Sequence, residues 1–350
     1  MSERDRPDAL SGSEPVMTEF EATLPPERPA RRRRLAAGLG TLLWENPVVV
    51  KELRGRMRGR RAFVVLTIYL LVLSCITSLL YLAYASAAQQ PYGPDSYLIG
   101  KVVFGGILGL QLVLVVFITP AFTAGAISGE RERQTYDLLR TTLLPARALV
   151  SGKLISALAY VVLLVLAAVP LQSIAFLLGG VAIEEAILAQ LIVLTTVLAL
   201  GAASVYFSTR ARSTLVATVL SYGFAFLATG GLPLILLMLS PILGYASTTL
   251  LGIEEPHWAL LVALIYVGGF LLALNPVATI ILSEVVLLEE QTIGFFKISL
   301  PMASGPSSAG PMVMRDIWLV SPWVVYVLFY LLLAALAYWL AVRRVQRIER

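Results

Sequence analysis

Six long apolar runs constrain this chain more than any other feature of its sequence. Each is long enough to cross the hydrocarbon core of a bilayer, about 30 Å, as a helix of about 20 residues. The expected spans are residues 62–84, 98–127, 148–178, 186–207, 214–239 and 322–342. Charged residues make up 14% of the chain, whereas an average soluble domain has about 25%. The sequence therefore predicts an all-α polytopic membrane protein with six transmembrane helices.

The positions of the basic residues predict the orientation of these spans. Four segments hold 24 of the 27 lysines and arginines: residues 1–61, 128–153, 208–213 and 343–350. Short loops rich in lysine and arginine stay on the cytoplasmic side of a membrane. We therefore expect a multi-pass protein of the plasma (inner) membrane, with both termini in the cytoplasm. The remaining basic residues are Lys101, Lys297 and Arg315.

Residues 258–286 are apolar but do not fit this pattern as a simple crossing. One crossing there would place the C-terminal arginines on the outer side. We therefore expect an outer-leaflet or re-entrant helix pair that is broken at Asn275-Pro276. Backbone that re-enters the membrane must be covered by protein or line a cavity. Residues 240–321 would then form the main external feature, before the last span.

Two segments with different properties precede the first span. Residues 1–43, rich in proline, serine, acids and arginine, are typical of a disordered cytoplasmic tail. The arginine run at 31–34 is compatible with nucleic acid, but its position close to a span favours anionic lipid. Residues 46–61 predict an amphipathic elbow helix on the membrane surface, with Val49, Leu53 and Met57 on its apolar face. Its candidate interface residues are Lys51, Glu52, Arg54, Arg58 and Arg61, and Arg56 and Arg60 are also charged.

The sequence lacks the signatures of most energy-yielding and catalytic chemistry. It contains no GxxxxGK[ST] phosphate loop, and its single histidine and single cysteine are too few for a zinc site or a catalytic triad. We therefore expect a protein that is not an enzyme and binds no metal or cofactor. Gln111 and Gln172 are the main polar groups inside the spans. We expect them to form interhelical hydrogen bonds.

The charged segment at residues 128–153 lies between the second and third expected spans. On a helix, Thr135, Leu138, Leu139 and Thr142 fall at i, i+3, i+4 and i+7, which makes one narrow stripe. Pro145 ends this helix before the chain re-enters the membrane. The stripe needs a surface to pack on. The residues leave open whether that surface belongs to a partner protein, to the elbow helix or to lipid.

Two blocks of sequence resemble a known family. The first block is Asn46-Pro47, Lys51-Glu52-Leu53-Arg54, and then Arg58 and Arg61. The second block is Ser128-Gly129-Glu130-Arg131-Glu132-Arg133, Thr135-Tyr136-Asp137-Leu138-Leu139, Thr141-Thr142 and Gly152-Lys153. With the six-span layout, these blocks resemble the membrane subunits of ABC exporters of the type-2 permease superfamily. The resemblance covers about residues 44–350, the expected transmembrane domain. Gln134 stands where the family often has glycine, and Asp137 where it often has glutamate.

The resemblance implies a function and a set of partners. It implies a homo- or heterodimer of permease subunits in the bilayer. Two copies of a separate ATPase, which binds ATP and magnesium, would join this dimer. The resemblance implies no nucleic-acid partner. Residues 130–142 would form a coupling helix on the ATPase. Its contact residues would be Glu130, Arg131, Glu132, Arg133, Thr135, Asp137, Leu138, Leu139 and Thr142. The elbow residues would flank this contact.

Two other functions have to be weighed against an exporter. A membrane scaffold or sensor could use residues 128–153 to recruit a cytoplasmic partner while transporting nothing. A scaffold would be recognised by a stable complex in which the membrane protein does not change the rate of ATP hydrolysis by its partner. A self-contained transporter or membrane enzyme is disfavoured, because intramembrane acids and bases, which such proteins use, are missing from the middle of the expected spans.

Overall fold

The computed structural model describes residues 55, 60–89, 96–134, 145–231, 235, 238–239, 258–290, 292–303 and 312–349. Its helices are α1 (Arg60–Ala88), α2 (Ser96–Thr123), α3 (Ser128–Glu132), α4 (Ala146–Ala167), α5 (Val169–Leu178), α6 (Ile183–Arg210), α7 (Thr214–Phe226), a π-helical turn (Leu227–Gly231), α8 (Trp258–Ala273), α9 (Pro276–Glu290) and α10 (Pro322–Glu349). The described residues also include two strands, β1 (Phe295–Ala303) and β2 (Met312–Val320). The predicted tail lies outside these residues, as does the predicted elbow except for residues 55, 60 and 61.

Among the described residues, six helical segments are long and apolar enough to cross a membrane. They are Ala62–Ala88, Leu98–Glu132, Ala146–Leu178, Ile183–Arg210, Thr214–Gly231 and Pro322–Arg347, and we number them spans 1 to 6. Span 3 consists of α4 and α5, and span 5 of α7 and the π-helical turn. The predicted class, an all-α polytopic membrane protein with six transmembrane helices, is confirmed.

Span 4 lies at the centre of the bundle. In the most apolar stretch of span 4, 67% of the residues are buried inside the protein, compared with 17% in the corresponding stretch of span 1. Small side chains, including Ala199 and Ala202 of α6 and Ala337 and Ala341 of α10, belong to the same buried cluster. Small residues let helix backbones approach closely, which is the main source of helix association in lipid. The hydroxyl groups of Thr196 and Tyr326 also share a hydrogen bond of 2.8 Å across this interface.

Glutamines join spans 2, 3 and 4 inside the bundle. Gln172 Nε2 donates to Gln111 Oε1 at 2.6 Å, which confirms the prediction that both residues form interhelical hydrogen bonds; that they bond to each other was not predicted. Gln111 Nε2 and Gln190 Nε2 both donate to the carbonyl oxygen of Val165, at 3.3 and 3.2 Å. This carbonyl lies just before the junction of α4 and α5, where Pro170 lacks the N–H of a regular helix. The sequence did not indicate that Gln190 joins this group.

The helix pair before the last span breaks where the sequence predicts. Helices α8 and α9 are bent by 117° between Ala273 and Pro276. The hydroxyl group of Tyr330 in α10 donates to the carbonyl oxygen of Leu274 at 2.9 Å. Because Tyr330 is eight residues beyond the start of α10, the break lies about 12 Å along span 6. Protein therefore covers the irregular backbone at this depth.

Both arms of the pair point back to the same end of span 6. On the α8 side, the Tyr266 hydroxyl donates to the carbonyl oxygen of Trp318 at 2.6 Å, just before α10 begins. On the α9 side, Trp323 Nε1 donates to the carbonyl oxygen of Ile293 at 2.7 Å. The pair therefore enters and leaves on one side of the bundle, as a re-entrant pair does and a single crossing does not.

A β-hairpin stands between the re-entrant pair and span 6, and the sequence analysis missed it. Strands β1 and β2 are antiparallel, with Lys297 opposite Trp318 and Ser299 opposite Asp316. Ile317 and Leu319 are buried against α8, so the hairpin covers the start of the pair. Outside the membrane, the Ser299 hydroxyl and then the Lys297 ammonium stabilise the Asp316 carboxylate and lower its pKa.

The end of span 2 that bears Lys101 packs tightly against the turn between spans 3 and 4. A Cβ atom on Gly100 would lie 1.8 Å from the carbonyl oxygen of Gly179. Gly179 and Gly180 themselves have φ angles of 85° and 86°, in the region that only glycine adopts readily. The backbone of Gly100 therefore contacts the backbone of Gly179 directly, and a side chain at position 100 would push the two segments apart.

We expect Gly100→Ala to lower the stability of the purified chain by about 3 kcal/mol, the upper part of the range for overpacking, because backbone has to move. The measurement is the apparent unfolding temperature in detergent. Gly105→Ala in the same helix is the matched control, since a Cβ atom there meets nothing within 4 Å. Equal unfolding temperatures for the two variants would contradict this account of the contact.

Candidate functional site

The charged segment singled out in the sequence begins with α3, which is fixed to the end of span 4. The hydroxyl oxygen of Ser208 accepts hydrogen bonds from the backbone N–H groups of Ile127 and Ser128, at 3.0 and 2.9 Å. These N–H groups lie at the start of a helix, where no backbone acceptor is available. Ser128 and Ser208 are both fully buried. One buried serine of span 4 therefore caps the start of α3.

The far end of α3 is fixed to the start of span 5. The two carboxylate oxygens of Glu132 accept from the backbone N–H and the hydroxyl group of Thr214, each at 2.7 Å. Thr214 is the first residue of α7, and a carboxylate at a helix N-terminus is stabilised by the helix dipole. Arg131 Nη1 also donates to the carbonyl oxygen of Ala211, at 3.4 Å. The linker between spans 4 and 5 is thus held along the length of α3.

An ion pair connects α3 to span 3. Lys153 Nζ donates to Glu130 Oε1 at 2.7 Å, and the two side chains are only 7% and 28% exposed. A short, charge-assisted bond with little access to water is stronger than a surface ion pair. Helix α3 of span 2 is therefore bonded to span 3 by Glu130, to span 4 by Ser128 and to span 5 by Glu132.

The chain leaves α3 in a strained conformation. Gln134 has a φ angle of 58°, which costs a residue with a side chain about 1 kcal/mol or more. This is the position where the resembled family often has glycine. The chain returns at Pro145, the N-cap residue of α4, so Pro145 lies at the predicted boundary and span 3 starts two residues earlier than expected.

The predicted coupling residues fall into two groups. Glu130, Arg131 and Glu132 are described and bond to their own chain, while Arg133 is exposed at the C-cap of α3. Five others lie outside the described residues: Thr135, Asp137, Leu138, Leu139 and Thr142. Within the described part of the chain, no group of three or more histidines, cysteines, aspartates or glutamates is placed to hold a metal ion.

Ser208 and Thr214 belong to this site, but the sequence analysis did not find them. They lie about 80 residues from their partners, so no local pattern connects them. The pair Ser213-Thr214 does carry a helix-start signal, since Ser213 caps α7 through its hydroxyl oxygen. That signal locates span 5 but says nothing about Glu132.

A search for known families agrees with this architecture. The sequence profile described as "ABC-2 family transporter protein" matches residues 47–337, which include α3 and all of its partners in spans 3, 4 and 5. No curated protein matches the chain significantly. Because the match covers most of the sequence, the chain belongs to the ABC-2 family of transporter proteins and is a permease component of an ABC transporter.

Proposed function

We propose that this permease is the transmembrane subunit of an exporter that is driven through residues 130–142 by a separate ATPase. The observation that carries the proposal is the attachment of α3 to three spans at once, through Ser208, Glu132 and Glu130. A force on the segment that follows α3 would reach the ends of spans 3, 4 and 5 together. The bonds are 2.7–3.0 Å long, and those of Ser208 are buried although those of Glu132 are exposed, so little of the displacement would be lost within α3 itself.

Two permease subunits and two ATPase subunits complete the proposed complex. The absence of a phosphate loop in the sequence supports a separate ATPase, which would bind the ATP and magnesium. The basic segments support a protein of the plasma membrane in which α3 and both termini lie on the cytoplasmic side. The bonds of α3 to the spans, made by Glu130, Arg131 and Glu132, would then transmit movement of the ATPase to the spans. The docking surface would consist of Arg133 and the stripe Thr135, Leu138, Leu139 and Thr142, with Asp137 beside it.

We expect Leu138→Asp together with Leu139→Asp to reduce the amount of ATPase that co-purifies with the tagged permease by at least about tenfold. Two buried leucines contribute about 1.5–3 kcal/mol each to an interface, and carboxylates in the same place would remain unpaired. The measurement is the molar ratio of a phosphate-loop ATPase to permease after affinity purification from native membranes. Unchanged recovery would contradict docking through this stripe.

Arg210→Ala is the control for this experiment. Arg210 is exposed at the end of span 4, on the same side of the bundle as α3, and has no place in the proposed docking surface. The same preparation separates an exporter from a scaffold, because only an exporter is expected to change the ATPase rate when both are reconstituted together. An ATPase rate that is the same with and without the permease would favour the scaffold.

A further inference from the structure

A second group of charged residues lies at the opposite ends of the spans from α3. Lys101 Nζ in span 2 lies 3.5 Å from Glu185 Oε1 in span 4 and 3.5 Å from Glu284 Oε1 in α9. The side chains of Lys101 and Glu185 are about nine-tenths buried, and that of Glu284 is 31% exposed. Two carboxylates therefore share one ammonium group, which leaves a net charge of −1 in a largely apolar surrounding.

The contacts of Lys101 with these carboxylates are long, and Glu185 Oε2 accepts a further hydrogen bond from the backbone N–H of Ala182 at 3.4 Å. A charge-assisted N–H···O bond is normally about 2.7–2.9 Å long, and both ion pairs in this group exceed that length. A carboxylate also has two oxygens that can accept several hydrogen bonds. Uncompensated charge close to a bilayer is unfavourable and tends to be neutralised by a partner of opposite sign. The group can therefore accept a second cation.

A cavity lies beside the carboxylates of Glu185 and Glu284. The volume of this cavity is about 20 Å³, more than the ~10–15 Å³ that one water molecule needs. Ser283 contributes to its wall and is 4% exposed, and its hydroxyl group has no hydrogen-bond partner within the described part of the chain. The rest of the wall is apolar and includes Phe104, Leu108, Leu188, Ala189, Ile192, Ile280 and Leu287.

We propose that this cavity binds the primary ammonium group of an amphiphilic amine. The ammonium group would donate its three hydrogen bonds to the two carboxylates and the Ser283 hydroxyl, and would bring the net charge of the group to zero. The apolar wall would contact the hydrocarbon stem of the amine, which enters from the bilayer. A bare inorganic cation fits poorly, because the hard cations of proteins take about six or more oxygen ligands and the wall offers three polar side chains.

This site does not rest on the proposed function. Binding of the amine requires neither an ATPase nor transport, so it can be measured on the purified permease alone. Loss of ATPase capture by the Leu138 and Leu139 variants and loss of amine binding by the cavity variants are independent results. Each proposal can therefore fail while the other holds.

The experiment is photolabelling of the full-length permease in nanodiscs with dodecylammonium that carries a diazirine on its alkyl chain. We expect labelled peptides from residues 104–108, 188–192 and 280–287, and suppression by excess dodecylammonium but not by excess dodecanol. Glu284→Gln should weaken labelling about tenfold, the value of one hydrogen bond to a charged group. Ser283→Ala should weaken it about threefold. Glu184→Gln, an exposed neighbour of Glu185, should leave it unchanged.

Three results would overturn the proposal. The first is equal labelling of these peptides in wild type, Glu284→Gln and Ser283→Ala. The second is equal suppression by dodecanol, which would show that the cavity takes alkyl chains without regard to charge. The third is suppression of the labelling by sodium chloride but not by tetraethylammonium chloride at the same ionic strength. This result would assign the site to an inorganic ion. Ser283→Ala retains all three charges, so it keeps the test valid if Glu284→Gln fails to fold.

Discussion

Glu130→Gln is expected to lower the stability of the purified permease by roughly 2–3 kcal/mol. The substitution removes the charge of the carboxylate that pairs with Lys153 at 2.7 Å. A hydrogen bond to a charged group is worth about 1.5–3 kcal/mol, and breaking a fully buried pair costs about 3–5 kcal/mol. We choose the upper part of the first range, below the cost of breaking a fully buried pair, because the Glu130 side chain is 28% exposed. The measurement is the apparent unfolding temperature in detergent.

Two further variants show whether the pair itself is responsible. Glu184→Gln removes an exposed carboxylate and should leave the unfolding temperature unchanged. Lys153→Met in the Glu130→Gln background removes both charges, and replacing both partners of a buried pair is often close to neutral. The double variant should therefore recover part of the loss. A double variant that is less stable than Glu130→Gln alone would contradict this explanation.

The second large effect is expected at the break between α8 and α9. Asn275 is buried and makes two bonds there: its Oδ1 accepts from the N–H of Ala278 at 2.9 Å, and its Nδ2 donates to the carbonyl oxygen of Thr229. We expect Asn275→Ala to lower stability by roughly 2–4 kcal/mol, about 1 kcal/mol from the lost helix cap and about 1–3 kcal/mol from the lost partner of a buried carbonyl group.

Asn275→Ser separates these two contributions. A serine caps a helix about as well as an asparagine, so this variant should retain the bond to Ala278 and lose only the bond to Thr229. Its unfolding temperature should lie between those of wild type and Asn275→Ala. If Asn275→Ala unfolds at the wild-type temperature, the polar contacts at the break do not stabilise the re-entrant pair.

The features that the sequence predicted correctly are those that the membrane imposes. A helix is the only single segment that satisfies its own backbone in lipid, so each apolar run identified a span without knowledge of its neighbours. The break at Asn275-Pro276 followed from the local effect of proline. The interhelical hydrogen bonding of Gln111 and Gln172 followed from the poor solvation of amides in lipid, but nothing in the sequence specified that these two residues would bond to each other.

The features that the sequence did not predict depend on packing between distant residues. Ser208 and Thr214 acquire their function only because the ends of spans 4 and 5 lie beside α3. Lys101 was an exception to the charge pattern, and its partners Glu185 and Glu284 become visible only when α9 folds back into the bundle. The hairpin was missed because Pro301 lies within β1, where a proline argues against a strand, and because its strands are almost as apolar as the neighbouring helices.

The junction of α4 and α5 has a mechanical consequence for span 3. A continuous helix resists bending through its backbone hydrogen bonds, and this resistance is weakest near a proline. At Val165 the carbonyl group is held by glutamine side chains of spans 2 and 4, which can swivel as the backbone tilts. Span 3 therefore consists of two helical segments, and we expect bending of this span to concentrate at their junction, which side chains of spans 2 and 4 stabilise.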